Sequence, residues 1–321
     1  MNHIRRLQVL WAVLLAGMLF VSGAFAQSIS GSIVGTVTDV SGAAVSAAAI
    51  TVTNEETNTE YKATSGGAGE FSVTNLPPGT YTVKTELAGF KPSVAKGVRL
   101  LATRTARVDT ALEPGAITQT VEVKAAAPVI TSENATIGSV LDSKTITSLP
   151  LNGRTLDRLI RISAGVTTDS AANPRVAGSA YWGGIQFSVD GLTYNDMGNG
   201  GGAYSYRNGL STLPSVDAVS EFKMDSNSMK AEYEGSVAAT VVTRGGTNDF
   251  HGSVLYFNRN KEYAAKNSTA VALKKPAYNR NEFGYTIGGP IIKDKTFFFH
   301  SFEGLRERTN RTNQLSVATQ A

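Results

Sequence analysis

The sequence contains no cysteine among its 321 residues. This absence excludes a disulfide-stapled scaffold, an iron–sulfur centre, a thiolate zinc site and a cysteine nucleophile. Histidine is also scarce, and the three present (His3, His251 and His300) are too far apart to give a metal-binding spacing. The sequence therefore predicts no metal, no cofactor and no catalytic residues, and we do not expect an enzyme.

Charge is low, because only 17% of the residues are charged and the net charge is +4. The positive residues are scattered, so nucleic acid is excluded as a partner. The 32 glycines exceed the usual share of about 7%. Low charge with many glycines favours a turn-rich β protein, and the length allows about two or three domains.

The N-terminus has the layout of a secretory signal peptide. Two arginines precede an almost wholly apolar run from Val9 to Val21, and small residues then lead to Ala26 and Gln27. A membrane anchor is the alternative, but the run is shorter than the ~20 residues that a spanning helix needs. We expect residues 1–26 to be removed by cleavage between Ala26 and Gln27.

Residues 27–115 consist of short runs with alternating apolar residues, separated by turn residues. Seven strands are predicted, at 32–38, 50–54, 59–63, 71–73, 81–85, 98–100 and 106–112. Period-two alternation with turns at this spacing predicts a seven-stranded β-sandwich.

The same segment resembles the carboxypeptidase regulatory-like domain, which has a transthyretin-like, carbohydrate-binding-like fold. The matching stretches are Gly35–Asp39, Ile50–Asn54, Gly69–Phe71, Leu76–Tyr81 and Gly89–Phe90. Such a sandwich serves as a rigid spacer or as a binder of carbohydrate or protein, with Tyr61, Phe71 and Tyr81 as a possible platform. We favour the spacer, because alternating aromatic residues in strands are usually core.

A linker follows at residues 116–128, and it contains a short alternating run from Gln119 to Ala125. The run is either one more strand of the sandwich or an extended segment that adds to the edge of a partner's sheet. It resembles the TonB box of TonB-dependent outer-membrane receptors. The resemblance implies that the periplasmic domain of TonB contacts a coupling strand made of Thr120, Val121, Glu122 and Val123.

Residues 129–246 mix predicted helices at 143–149 and 155–162 with strands at 187–189, 216–222 and 235–244. This α+β segment resembles the plug domain of the same receptors. The resemblance rests on Leu149–Arg154, Val189–Gly191, Val219–Phe222 and Glu232–Gly246. Asp190, Asn195 and Asp196 have no cation-loop spacing, and the glycine-rich run 198–202 lacks the Lys-Ser/Thr of a phosphate loop, so we expect turns and loops there.

Residues 247–321 contain long aromatic strands joined by a charged turn at Lys293–Lys295. This pattern is typical of a transmembrane β-barrel, and the alternative is a hairpin packed on the sandwich. Residues 288–299 resemble the first barrel strands of Oar-like TonB-dependent receptors. The segment has room for about three or four crossings, whereas the smallest barrels have about eight strands. We therefore expect an incomplete barrel, and the chain to be the N-terminal part of a longer receptor.

The predicted fold class is thus mainly β: a seven-stranded sandwich, an α+β plug and the first strands of a barrel. The resemblances imply an outer-membrane location, lipid contact and energised uptake through TonB. The substrate is unknown, with oligosaccharide, peptide and protein all open. The alternative function is a secreted or surface sandwich module that binds carbohydrate or protein.

Overall fold

The computed structural model describes residues 29–115, 121–124, 137–149, 154, 156–163, 166–168, 174–176, 185–193, 214–227, 237–265 and 277–309. Several sequence predictions fall outside these ranges. They are the signal peptide with its cleavage between Ala26 and Gln27, Thr120 of the coupling strand, Asn195 with Asp196, and the glycine-rich run 198–202.

The first unit, here called the sandwich, is a two-sheet structure within residues 29–115. Its strands are β1 (Gly31–Asp39), β2 (Ala49–Asn54), β3 (Glu60–Thr64), β4 (Glu70–Leu76), β5 (Gly79–Glu86), β6 (Ser93–Leu100), β7 (Thr105–Arg107) and β8 (Thr110–Leu112). A further strand, β9 (Val121–Lys124), follows from the linker. One sheet places β1 between β4 and β7, with β8 also on β1, and the other runs β3-β2-β5-β6-β9.

Eight strands therefore stand where seven were predicted, because the run 106–112 is divided in two. Both β7 and β8 pair with β1 in parallel, at different places along it. Between them, the Val108 N–H donates to the Val34 carbonyl at 2.8 Å. The Asp109 carboxylate accepts from the Thr36 N–H at 2.9 Å. The regular pairing with β1 is therefore interrupted at residues 108 and 109 and resumes in β8.

The sandwich core follows the predicted alternation. Ile33 and Val37 of β1 are fully buried, as are Tyr81 and Val83 of β5. Each such side chain contributes about 1.5–3 kcal/mol by leaving water. The inward faces of the two sheets thus cover each other and make a single apolar cluster.

The three aromatic residues considered as a sugar platform face this cluster. Phe71 and Tyr81 are buried in it, and Tyr61 packs against it half-buried. The Tyr81 hydroxyl donates to the Pro77 carbonyl at 2.6 Å. Burial raises the pKa of the Tyr81 phenol to about 12. The interpretation of these residues as core is confirmed for Phe71 and Tyr81, and neither presents a ring for stacking on a sugar.

The second unit, here called the middle unit, combines a sheet with short helices. Its elements are β10 (Ile137–Asp142), α1 (Ser143–Ser148), α2 (Asp157–Ile162), β11 (Val166–Thr168), β12 (Pro174–Val176), β13 (Ile185–Val189), β14 (Leu192–Thr193), a 3-10 turn (Val216–Ala218), β15 (Val219–Asn227) and β16 (Val237–Thr243). The main sheet has the order β10-β15-β16-β13-β14, while β11 and β12 form a separate pair. Both predicted helices are present, and the strand predicted at 216–222 begins later and runs to Asn227.

The apolar core of the middle unit lies between its helices and its sheet. Ile146 of α1 and Leu159 of α2 pack with Phe222, Met224 and Val241 of the sheet. The α1 helix begins where the Asp142 carboxylate accepts from the Thr145 N–H at 2.8 Å, which is a standard N-cap contact.

The predicted Asp190-Gly191 turn joins β13 to β14, and both residues have positive φ, 49° and 81°. This is the geometry that a two-residue hairpin turn needs. The Asp190 carboxylate accepts from the Thr243 N–H at 2.8 Å and from its hydroxyl at 2.7 Å. Asp190 thus ties the hairpin to the end of β16, which is a structural role.

The third unit, here called the terminal sheet, is antiparallel and has the order β17-β18-β19. Its strands are β17 (His251–Asn260), β18 (Tyr278–Ile292) and β19 (Thr296–Thr309). The charged turn at 293–295 joins the last two strands, with Asp294 at φ 62°. Within the part of the chain that the structure describes, no helix has both the length and the apolar composition needed to span a bilayer.

Candidate functional site

The predicted coupling strand forms an edge strand of one sandwich sheet. Val121, Glu122 and Val123 belong to β9, which pairs in parallel with β6. The partners are Ser93 with Val121, Val94 with Glu122, Ala95 with Val123 and Lys96 with Lys124. Of the two interpretations of this run, the geometry is that of one more strand of the sandwich.

A loop of the sandwich covers three charged residues of the middle unit. Glu221, Lys223 and Asp225 alternate along β15 and are all buried. The Ala102 N–H donates to the Glu221 carboxylate at 3.3 and 3.4 Å, and the Lys223 ammonium donates to the Thr103 hydroxyl. We call this arrangement the charged joint.

Ion pairs complete the charged joint. The Asp225 carboxylate lies 2.7 Å from the Lys223 ammonium and 3.4 Å from the Arg104 guanidinium, which reaches it from the sandwich. Burial raises the pKa of the Glu221 carboxyl, and the hydrogen bond from Ala102 opposes that rise. Burial also lowers the pKa of Lys223, against the effect of Asp225. Each buried charge thus has a partner of opposite sign or a hydrogen bond, as buried charges require.

A second contact joins the sandwich to one end of the terminal sheet. The Asp294 carboxylate in the turn after β18 accepts from the side-chain amides of Asn58, at 2.9 Å, and Asn248, at 2.8 Å. The Asn248 N–H donates to the Glu56 carbonyl at 3.0 Å. The sandwich therefore sits at the end of the terminal sheet where the connection between strands is short.

A cleft of about 760 Å³ opens where the three units meet. Carboxylates and basic groups both line it, including Glu56 and Arg99 from the sandwich, Lys144 and Arg244 from the middle unit, and His251 from the terminal sheet. Among the described residues, no group of three or more His, Asp or Glu is arranged to hold a metal.

The two faces of the terminal sheet differ in polarity. On one face, apolar side chains are exposed: Phe250, Val254, Tyr256, Phe283, Tyr285, Ile287 and Phe302. On the other, Glu282 and Thr286 are buried, with exposed fractions of 5% and 4%, and two exposed apolar residues, Phe257 and Leu305, lie beside Glu282. Registered pairs place Val254 beside Tyr285, and Tyr285 beside Phe302. The apolar face is therefore continuous across all three strands.

The polar face of the terminal sheet contacts the middle unit. Arg154, in the motif predicted at 149–154, is bonded to Asp217 and lies over the Phe257 ring, 4.5 Å from its centroid. The Ser215 and Ser301 hydroxyls are 3.0 Å apart. The terminal sheet thus packs the face that carries Phe257 and Ser301 against the middle unit.

Sequence reasoning predicted the strand at 119–125 and the aromatic strands after residue 247, but it missed the charged joint. The predicted strand at 216–222 ended before Lys223 and Asp225, and Arg104 was not singled out. The available signal was the alternation of charged residues at 221, 223 and 225. Such alternation usually indicates a solvent-facing side, so it did not point to burial.

Two family profiles match the chain. The profile of the carboxypeptidase regulatory-like domain matches residues 32–113, and that of the outer membrane beta barrel domain matches residues 242–321. Among curated proteins, the TonB-dependent transporter Oar of Myxococcus xanthus is 29% identical over 333 residues. The match covers 98% of this chain and 30% of that protein, so the chain spans less than a third of its relative's length.

The similarity of this chain to solved structures is low. Hydroxyquinol 1,2-dioxygenase from Pseudomonas putida DLL-E4 is 12% identical, covering 29% of this chain and 59% of that chain at a TM-score of 0.24. Catechol 1,2-dioxygenase from Acinetobacter sp. ADP1 is 11% identical, covering 32% and 60% at a TM-score of 0.24. Likenesses at this level carry no argument about chemistry. The sequence resemblance is confirmed: the chain is similar over nearly its whole length to the TonB-dependent transporter Oar, and parts of it match the carboxypeptidase regulatory-like and outer membrane beta barrel profiles.

Proposed function

We propose that the chain forms the N-terminal part of an outer-membrane transporter that takes up its substrate with energy delivered by TonB. The signal peptide exports the chain, the middle unit is the plug, and the terminal sheet begins the barrel wall. TonB pairs with the coupling strand, Thr120–Val123, and pulls on it to disturb the plug. No covalent chemistry is involved, and the substrate is an oligosaccharide, peptide or protein.

The observation that carries the proposal is the reversed polarity of the terminal sheet. Its apolar face is exposed, with Val254 88% exposed, while Glu282 on the other face is buried. A sheet of a soluble protein covers its apolar face, whereas a transmembrane barrel turns that face to lipid and its polar face to the lumen. The similarity to an outer membrane beta barrel domain supports the same location.

The position of the sandwich supports the orientation of the barrel. Outer-membrane barrels have short turns on the periplasmic side and longer loops outside. The sandwich contacts the short turn at 293–295 through Asn58 and Asp294. The sandwich and β9 therefore belong on the periplasmic side, where the partner TonB is available.

The proposal is tested by capture of the receptor with the periplasmic domain of TonB. Val121→Pro removes a backbone N–H and fixes φ, so the coupling strand can no longer pair along its length. We expect Val121→Pro to abolish capture of the full-length receptor from outer membranes. Ala127→Pro is the matched control, since it places proline in the same linker outside the coupling strand, and it should be captured like the wild type.

Equal capture of the Val121→Pro receptor and the wild type would reject Thr120–Val123 as the coupling strand. Recovery of the receptor in the soluble periplasmic fraction would instead reject the membrane assignment. The alternative function, a secreted sandwich that binds carbohydrate or protein, gains no support from the aromatic residues, because Phe71 and Tyr81 are buried.

A further inference from the structure

We propose that the β6 edge of the sandwich is a docking site for the coupling strand, and that TonB must displace the strand from this edge before it can pull. The inference rests on the proposed function, because it concerns the same coupling residues. It assigns to the sandwich a role beyond that of a spacer: the sandwich sets how much of the coupling strand is available to TonB.

The first support is that β9 is an addition to a sandwich that is complete without it. The carboxypeptidase regulatory-like profile ends at residue 113, before β9 begins. The matched region, residues 32–113, contains strands of both sheets of the sandwich. The family's domain is therefore matched without β9.

The second support is the kind of pairing that holds β9. It joins β6 through four residue pairs in parallel, whereas β2 and β5 in the same sheet share six antiparallel pairs. Parallel pairing is slightly less stable per residue than antiparallel pairing. As a short strand at the end of the sheet, β9 is the member that can leave at least cost.

The third support is that the docking site and the proposed TonB contact overlap. Three of the four coupling residues, Val121 to Val123, are paired with β6. A pull on these residues reaches the plug only after they separate from β6. The apparent affinity of TonB then scales with the fraction of receptors in which the strand is undocked.

A disulfide lock tests the inference, and the chain has no cysteine of its own to interfere. Lys96 and Lys124 are registered partners across the two strands, and Lys124 lies just outside the coupling residues. Neighbouring strands are about 4.8 Å apart, which is within the Cα separation that a disulfide bridges. In the full-length receptor, Lys96→Cys with Lys124→Cys should form an intramolecular disulfide under mild oxidation.

We expect the oxidised receptor to bind the TonB periplasmic domain more than about tenfold more weakly than the same receptor after reduction. The control is a second lock within the same sheet, Thr51→Cys with Lys62→Cys, which joins the registered partners of β2 and β3. That disulfide leaves β9 free to undock, so oxidation should not change its TonB binding.

Two results would overturn the inference. One is failure of the Lys96/Lys124 pair to cross-link although both cysteines react with a maleimide, which would mean that β9 is not docked. The other is full TonB binding by the locked receptor, which would mean that TonB adds to the free edge of β9. Failure of the proposed function looks different, because the reduced variant and the wild type would then both fail to bind TonB.

Discussion

The sandwich and the terminal sheet use the same alternation of apolar and polar residues with opposite results. In β1, Ile33 is completely buried and its neighbours along the strand are partly exposed. In β17 and β18, Val254 is 88% exposed whereas Glu282 is buried. Both regions are regular strands with two distinct faces, so the difference lies in which face each sheet turns outward.

This difference teaches that alternation defines two faces but does not decide which medium each one meets. The two sheets of the sandwich bury their apolar faces against each other. The terminal sheet instead places the face of Phe257 and Ser301 against the middle unit, where Arg154 lies over the Phe257 ring. Its apolar face then requires an apolar surrounding, and a bilayer supplies one.

The largest expected effect comes from placing a charge on the inward face of the sandwich. Ile33→Arg buries a cation without a partner, so we expect it to destabilise the sandwich by more than about 4 kcal/mol. Hydrogen exchange of β1 and β5 amides in the full-length receptor measures the loss. Val40→Arg is the control, because Val40 is 67% exposed, and protection equal to wild type in Ile33→Arg would contradict the assignment of this face.

The same replacement on the apolar face of the terminal sheet should matter only in lipid. Val254→Arg is expected to destabilise the receptor folded in a bilayer by about 2–4 kcal/mol, depending on depth. The free energy of folding into phospholipid vesicles measures this effect. Ser253→Arg provides the control on the opposite face, since Ser253 bonds to Thr286 there at 2.8 Å. A larger loss for Ser253→Arg than for Val254→Arg would reverse the assignment of the two faces.

The sequence was sufficient for features set by neighbouring residues. The alternation in β1, the Asp190-Gly191 turn and the charged turn at 293–295 are all local, and all occur as predicted. In each case the residue types within a short stretch determine its geometry, as with a pair of residues that tolerates positive φ.

Features that depend on distant contacts could not be predicted in the same way. The break between β7 and β8 depends on bonds from Val108 and Asp109 to β1, about seventy residues earlier. The burial of Lys223 depends on Thr103 and Asp225 satisfying its charge. The parallel pairing of β9 with β6 likewise joins segments whose own sequences do not encode the contact.

The smallest expected effect is the loss of one hydroxyl from a buried aromatic residue of the sandwich, compared with the same loss from an exposed aromatic residue of the terminal sheet. Tyr81→Phe removes the hydrogen bond to the Pro77 carbonyl, and we expect a loss of about 1 kcal/mol from the stability of the sandwich at neutral pH. Tyr285→Phe is the matched control, because it removes a hydroxyl from a partly exposed ring. Hydrogen exchange of β5 amides, compared between the two variants, measures the difference.

The stability difference between the wild type and Tyr81→Phe should also depend on pH in the alkaline range. The folded pKa of Tyr81 is about 12, above the ordinary value of 10.0, because burial disfavours the phenolate. The folded state then holds this proton more tightly than the unfolded chain does, so its contribution to stability is present below pH 10 and is lost as the pH rises towards 12. The gap between wild type and Tyr81→Phe should therefore shrink, and then change sign, over this interval. A gap that stayed constant would mean that the Tyr81 hydroxyl titrates as it does in the unfolded chain, and would contradict its burial.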